Sequence, residues 1–184
     1  WPRKCLRKTD MSDKFKYADE KDRSYGLTGM AVTMAVWSDN DNILEIDLDR
    51  ADEPVAFTPD FYFSGNPSCS AKDVWSMMVK HFQLAMGMAM GNLLCRRLVA
   101  QNMMPDDDEA DALRIAAEQE GMDVCGLEKD EVDALWSKSY RTLVRVFGHD
   151  GVGIIADRFA TELQSRRRLC REDISDLLVE LGRL

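Results

Sequence analysis

The sequence predicts an α+β fold. A small antiparallel hairpin or three-stranded sheet, at about residues 27–63, packs on a mostly helical body built around a long buried central helix at about residues 70–102. Three observations carry this prediction. From Ile43 to Asp49 apolar and acidic residues alternate strictly, the period of a half-buried strand. Residues 82–95, FQLAMGMAMGNLLC, hold no charge and are apolar right round a helical wheel. Beyond Pro105 apolar residues recur at three- and four-residue steps in successive segments.

Residues 1–25 are polar and mixed in charge, with no sustained period. They are expected to form a flexible N-terminal arm, with residues 26–184 as one α+β domain. In LTGMAVTMAVW, Met30, Val32, Met34 and Val36 alternate with Ala31, Thr33, Ala35 and Trp37, which predicts a strand. SDNDN supplies turn residues. ILEIDLD then predicts a strand with Leu44, Ile46 and Leu48 inward and Glu45, Asp47 and Asp49 outward. PVAFTPDFYFS supplies a third extended segment, confined to a sheet edge by Pro54 and Pro59.

Ser70, with Asp73 three residues on, is the expected N-cap of the central helix, which runs to about Asn102. PDDDEADALRIAAEQEG predicts a shorter helix with acids in its first turn and Gly121 at its end. Val132, Trp136, Tyr140, Leu143 and Phe147 form one apolar stripe of a further helix, stopped by Gly148. Asp150 is the expected cap of the next helix, whose stripe is Ile155, Phe159 and Leu163. A last short helix carries Ile174, Leu177, Leu178 and Leu181.

Gly87 and Gly91 stand out inside the uncharged stretch. Two helical glycines cost about 2 kcal/mol relative to alanine. About 80 Å² of extra apolar contact, at about 25 cal/mol per Å², offsets that. On the wheel the glycines fall roughly opposite Ala85 and Ala89, so other backbones are expected to press in on both sides. The hairpin and the downstream helices are the expected cover. A glycine face meeting its symmetry mate would instead make a homodimer, with Gly87, Gly91, Met88 and Leu84 as interface candidates. Met86, Met88 and Met90 point in different directions on a helix and cannot converge on one copper ion.

The net charge of −9 argues against a nucleic-acid or anionic-membrane surface. The charge is uneven. Residues 38–60 hold eight acids and one base, residues 106–133 twelve acids and two bases, and residues 138–171 eight bases and three acids. The five cysteines are widely spaced, with no CxxC, which predicts reduced thiols in a cytoplasmic protein rather than a disulfide framework or zinc site. The uncharged run is too short to span a bilayer.

Chemistry-bearing residues are few. His81 and Cys95 lie fourteen residues apart on one helix, about 21 Å along its axis, and cannot act together within one chain. His149 lies in FGHDGVGII, which reads as a joint between two helices rather than a phosphate loop. Asp39, Asp41 and Glu45 lack the frame of a calcium loop and read as a solvated face. Arg166, Arg167, Arg168 and Arg171 form a basic patch near a helix end, where cations are favoured.

No local motif of a known catalytic class occurs, and no cofactor or metal is implied. The leading functional expectation is a non-enzymatic interaction protein: an adaptor, chaperone or regulatory subunit, acting on itself as a homodimer or on a protein partner. The alternative is a small-molecule-binding protein or enzyme with an apolar pocket between sheet and helices, lined by Trp75, His81, Arg145 and His149. The weakest is nucleic-acid binding through the arginine patch, against which the acidic face of the last helix stands.

Overall fold

The computed structural model describes residues 16–37, 40–61 and 70–184. Cys5, Asp39, Cys69 and most of the expected N-terminal arm lie outside the described residues. Of that arm, residues 20–25 belong to the first helix.

The fold class is as the sequence predicts, α+β with a small three-stranded antiparallel sheet on a mostly helical body. The sheet is assembled from different pieces, however. The segment expected as its first strand is a helix, α1, Glu20–Val36. Asp19 caps it by accepting from the Asp22 N–H at 2.7 Å, and Glu20 and Asp22 sit in its first turn. Alternation misled here because almost every position from Ser24 to Met34 is small or apolar, and all of them are buried. A segment apolar on every side has no polar face to mark its period. The two buried threonines are satisfied inside the helix: Thr28 donates to Ser24 O and Thr33 to Gly29 O, each at 2.8 Å.

A 3-10 turn at Asn40–Asn42 leads into β1, Ile43–Asp47. β1 is the central strand, flanked by β2, Val55–Phe57, and, in place of residues 27–37, by β3, Arg168–Cys170. A register shift between Ile43 and Glu45 interrupts the expected alternation. Ile43 turns inward with Ile46 and Leu48, and Leu44 turns out, 41% exposed.

The central helix α2, Ala71–Leu94, starts at Ser70, which accepts from the Asp73 N–H as expected. It continues into a π-helical turn, Cys95–Val99. Residues 86–96 are buried throughout, so the uncharged stretch has neighbours on every side.

The cover over the glycines is α1, a helix of the same chain, rather than a hairpin. A β-carbon added at Gly29 would lie 2.0 Å from the Gly91 carbonyl oxygen, and one at Gly91 would lie 2.0 Å from the Thr33 hydroxyl. At Gly87 it would lie 1.9 Å from the Trp37 ring. The close approach that the glycines require therefore happens within the chain.

α3, Asp107–Cys125, runs past Gly121, the expected end, and stops at Gly126, which takes the left-handed conformation at φ 64°. Gly121 instead faces Val132 and Phe82. α4, Lys129–Phe147, opens with a Glu128–Glu131 capping box and buries Val132, Trp136, Leu143 and Phe147. α5, Asp150–Arg166, buries Ile155, Phe159 and Leu163. α6, Arg171–Leu178, passes into a closing 3-10 turn, Val179–Arg183. Among the described residues no helix is long and apolar enough to cross a membrane.

Candidate functional site

α4 is amphipathic, and one flank of its buried stripe remains open. Residues 135, 138, 139, 142, 145 and 146 recur along this flank and, with His149 just beyond its end, line two cavities beside the end of α1. The larger has a volume of about 740 Å³. Its walls are mostly apolar: Ala35 and Val36 at the end of α1, Val146 on α4, Val152 on α5, and Leu178 and Leu181 at the C-terminal end. Arg145, His149, Asn40, Asp41 and Ser175 supply its polar groups.

His149 is held by the backbone. It is the N-cap of α5, in place of the expected Asp150, and its Nδ1 accepts from the Gly151 N–H at 3.1 Å. With Nδ1 accepting, the proton of the neutral ring sits on Nε2, which leaves that nitrogen as a donor. A β-carbon added at Gly151 would lie 2.9 Å from the tip of the exposed Leu184 side chain. Arg145 lies in the last turn of α4, where the helix dipole favours a cation. Among the described residues it has no ion-pair partner. Asp41 is fixed through its carbonyl, which accepts from Arg171 Nη2 at 2.9 Å.

Two of the four ligand candidates, Arg145 and His149, thus meet in one cavity, set between helices rather than between sheet and helices. The other two do not join them. Trp75 is half-exposed near the start of α2, where its indole N–H donates to Cys125 O at 2.9 Å. His81 packs edge-on against Phe61, with ring centroids 4.9 Å apart. Burial lowers the His81 pKa, against a smaller opposing effect from a hydrogen bond with the Phe61 backbone. Sequence reasoning missed Asn40, Asp41 and Ser175. Asn40 reads from the sequence as a turn residue, Asp41 as part of a turn and a solvated acidic face, and Ser175 gives no signal.

The interface candidates are all buried. Gly87 and Gly91 face α1, while Leu84 and Met88 are 7% and 6% exposed. Three of the four arginines of the basic patch are engaged by acids of the same chain, and Arg171 donates to the Asp41 carbonyl. Arg166 makes a two-pronged pair with Asp173 at 2.8 and 2.9 Å. Arg167 pairs with Asp49 and Glu20, and Arg168 with Glu45. The pairs with Asp49 and Glu45 tie the α5–β3 corner to the acidic hairpin, while Glu20 ties it to α1 and Asp173 to α6.

A second charged constellation lies where the π-helical turn meets α1. The buried Arg96 guanidinium donates to both Asp22 oxygens, at 2.7 and 2.5 Å, and to Lys16 O at 3.1 Å. It lies 5.0 Å from the centre of the Tyr17 ring, and Asn92 Nδ2 donates to the Tyr17 hydroxyl at 2.8 Å. Burial alone would raise the Asp22 pKa. The hydrogen bonds from Arg96 and the Ala18 N–H, with the Arg96 charge, outweigh it and hold the carboxyl below its ordinary value. Arg97, the next residue, turns to Glu109. The pairing is closed and serves as a clamp between α1 and α2. The sequence shows only RR after an apolar run, and nothing local says that one arginine turns inward.

Among the described residues no group of three or more histidine, cysteine or acidic side chains could hold a metal ion. Cys95 and Cys125 are buried free thiols, and Cys170 is exposed. No protein-family model, no curated protein and no solved structure matches the chain.

Proposed function

We propose that the protein binds a small amphipathic molecule in the cavity between the end of α1, the α4–α5 joint and the C-terminal helices. The observation that carries this reading is the composition of that cavity: about 740 Å³, apolar walls and a few polar groups at its edge. The apolar body of the ligand lies against Val36, Val146, Val152 and Leu178. Arg145 pairs with an anionic or carbonyl head group, and His149 Nε2 donates a hydrogen bond to it. Asn40 and Asp41 accept from any donor the head group carries.

A thermal-shift panel of aliphatic carboxylates of graded chain length tests this. The melting temperature is expected to rise with chain length up to the capacity of the cavity. The rise should be lost in Arg145→Ala and in Val179→Trp, which crowds the exposed end of the cavity wall. A panel that shifts nothing, or a shift that survives both variants, overturns the reading.

A second reading, the interaction protein acting as a homodimer, no longer rests on Gly87 and Gly91. It is favoured by Trp75, Met77, Met122 and Val124, apolar side chains 45–48% exposed on α2 and α3. Sedimentation at micromolar concentration decides it: a dimer split by Trp75→Glu supports it, and a monomer removes the homodimer. The buried thiols of Cys95 and Cys125 fit the reducing compartment expected from the cysteine pattern.

A further inference from the structure

The Arg145–His149 cavity carries two opposite charges that do not neutralise each other. Asp41 and Arg145 are the only Asp, Glu, Lys or Arg among its described lining residues. Elsewhere in the molecule arginines are matched with carboxylates, as in Arg96–Asp22, Arg97–Glu109 and Arg166–Asp173. Among the described residues the Arg145 and Asp41 side chains pair neither with each other nor with a third group.

Two observations fix how these charges are presented. The turn that carries Asp41 is pinned on both sides. Asp41 O accepts from Arg171 Nη2 at 2.9 Å, and Asn42 accepts from Thr58 at its carbonyl and at its side-chain oxygen, each at 2.8 Å. This pinning leaves the Asp41 carboxylate unused. The lining is also graded. Asp41, Arg145 and His149 are exposed, whereas Val152 and Leu178 are buried. The charges therefore stand at the mouth, and the dry part is aliphatic, with no Phe, Tyr or Trp among the described lining residues. A plain carboxylate held by Arg145 leaves Asp41 as a like charge beside its head group. A plain amine held by Asp41 leaves Arg145 in the same position. A head group that carries both charges complements both.

We infer that this cavity binds a zwitterion with an aliphatic side chain, the chemistry of an apolar amino acid. Arg145 and His149 Nε2 hold the carboxylate, Asp41 holds the ammonium, and the side chain lies inward against Val152 and Leu178. The inference rests on the ligand-binding reading of the same cavity and adds the cationic half of its ligand. This chemistry has two sources, a free aliphatic amino acid and a short apolar peptide with free ends.

Calorimetric titration of the full chain tests the inference. The probes are leucine and leucylleucine, each with its counterpart lacking the ammonium, 4-methylpentanoate and 4-methylpentanoyl-leucine. At least one zwitterion should bind about tenfold more tightly than its counterpart, the worth of one charge-assisted hydrogen bond. The tighter of the two zwitterions identifies the source. Asp41→Ala should bring that ratio to about one, and Arg145→Ala should weaken zwitterion and counterpart alike, each about tenfold. Arg141→Ala, which removes a cation of α4 that lines neither cavity, should change nothing. Circular dichroism confirms that each variant is folded, and the exposed Asp41 side chain has no partner among the described residues to lose. The inference is overturned if neither zwitterion outbinds its counterpart, or if the advantage survives Asp41→Ala. In both cases a counterpart that still binds, and is weakened by Arg145→Ala, leaves the carboxylate-binding reading standing. If none of the four probes binds at about 10 mM, both fall together.

Discussion

Helices α1 and α2 meet at Gly29 and Gly91 with no room for one added carbon, whereas Gly153, in the first turn of α5 beyond the α4–α5 joint, has nothing within 4 Å of an added β-carbon. Both regions are glycine-bearing and both adjoin apolar walls. At the first, the backbones themselves are the contact, and the glycines set the distance between two helices. At the second, the chain turns from α4 to α5 and leaves a cavity beside it. A glycine in the sequence announces a missing side chain. Only the neighbours say whether that absence is filled by another backbone or by space.

The largest effect should come from the dry side. Asp22→Ala leaves Arg96 buried without its counter-charge, and such a loss typically destabilises by about 3–5 kcal/mol. Urea unfolding measures it. The double variant Asp22→Ala with Arg96→Met should recover part of the loss, because the uncompensated charge goes with it. If Asp22→Ala unfolds at the parent's urea midpoint, the clamp between α1 and α2 does not exist in solution. Next comes Gly29→Ala, whose β-carbon meets a backbone carbonyl rather than a flexible tip. The expected loss is at the upper end of the roughly 1–3 kcal/mol typical of overpacking, because two whole helices must move apart. A near-neutral Gly29→Ala would erase the contrast between the two glycine regions.

Acid pH probes the same side more gently. Burial holds the His81 ring neutral in the folded chain, so its folded pKa lies below the unfolded one. As pH falls through about 6.5, the unfolded ring takes up a proton that the folded ring resists, and stability declines. Asp22 has the same sign by a different route. Its folded pKa lies below the ordinary carboxylate value, so its stabilisation is present above about 3.9 and is lost as pH falls through the folded pKa. Two successive acid losses are expected in the urea midpoint. His81→Phe, which keeps a ring against Phe61, should remove the first and leave the second. A flat midpoint from pH 7 to pH 5 in the parent would show that His81 is solvated.

These regions also differ in how legible they are in the sequence. Burial of residues 86–95 on every side follows from the lack of charge between Phe82 and Cys95, and the glycines there correctly announce a close backbone. Their partner was misread, because α1 is as uniformly small and apolar as α2, and a period cannot be read where every position is alike. The α4 flank was legible only as separate residues. Arg145 and His149 could be named as chemistry-bearing, but Val36, Asn40, Ser175 and Leu181 come to the same cavity from elements far apart in the chain, and no spacing rule joins them. The arginine patch failed in the same way. Its partners Asp49 and Glu45 lie on the acidic hairpin, read as a solvated face, and become neighbours only when Arg168–Cys170 pairs with β1. What periodicity reveals is which side of an element is dry. It is silent on which element dries it.

The smallest effect is the one that completes the contrast. Gly153 lies inside α5 and is not among the residues with positive φ. Nothing stands within 4 Å of its added β-carbon, and it lines neither cavity. Gly153→Ala therefore meets no clash, improves helix propensity and restricts the unfolded chain, for a gain of about 0.4–1 kcal/mol. In a chain of this length that is a rise of about 1–4 °C in Tm, read by calorimetry. The carboxylate-induced thermal shift should stay as in the parent, since no wall of the cavity moves. A fall in Tm would mean that something presses on the first turn of α5 in solution, and the joint would then resemble the α1–α2 crossing rather than oppose it. A rise in Tm with the ligand shift intact would show that the open side of the molecule tolerates there the carbon that the α1–α2 crossing excludes.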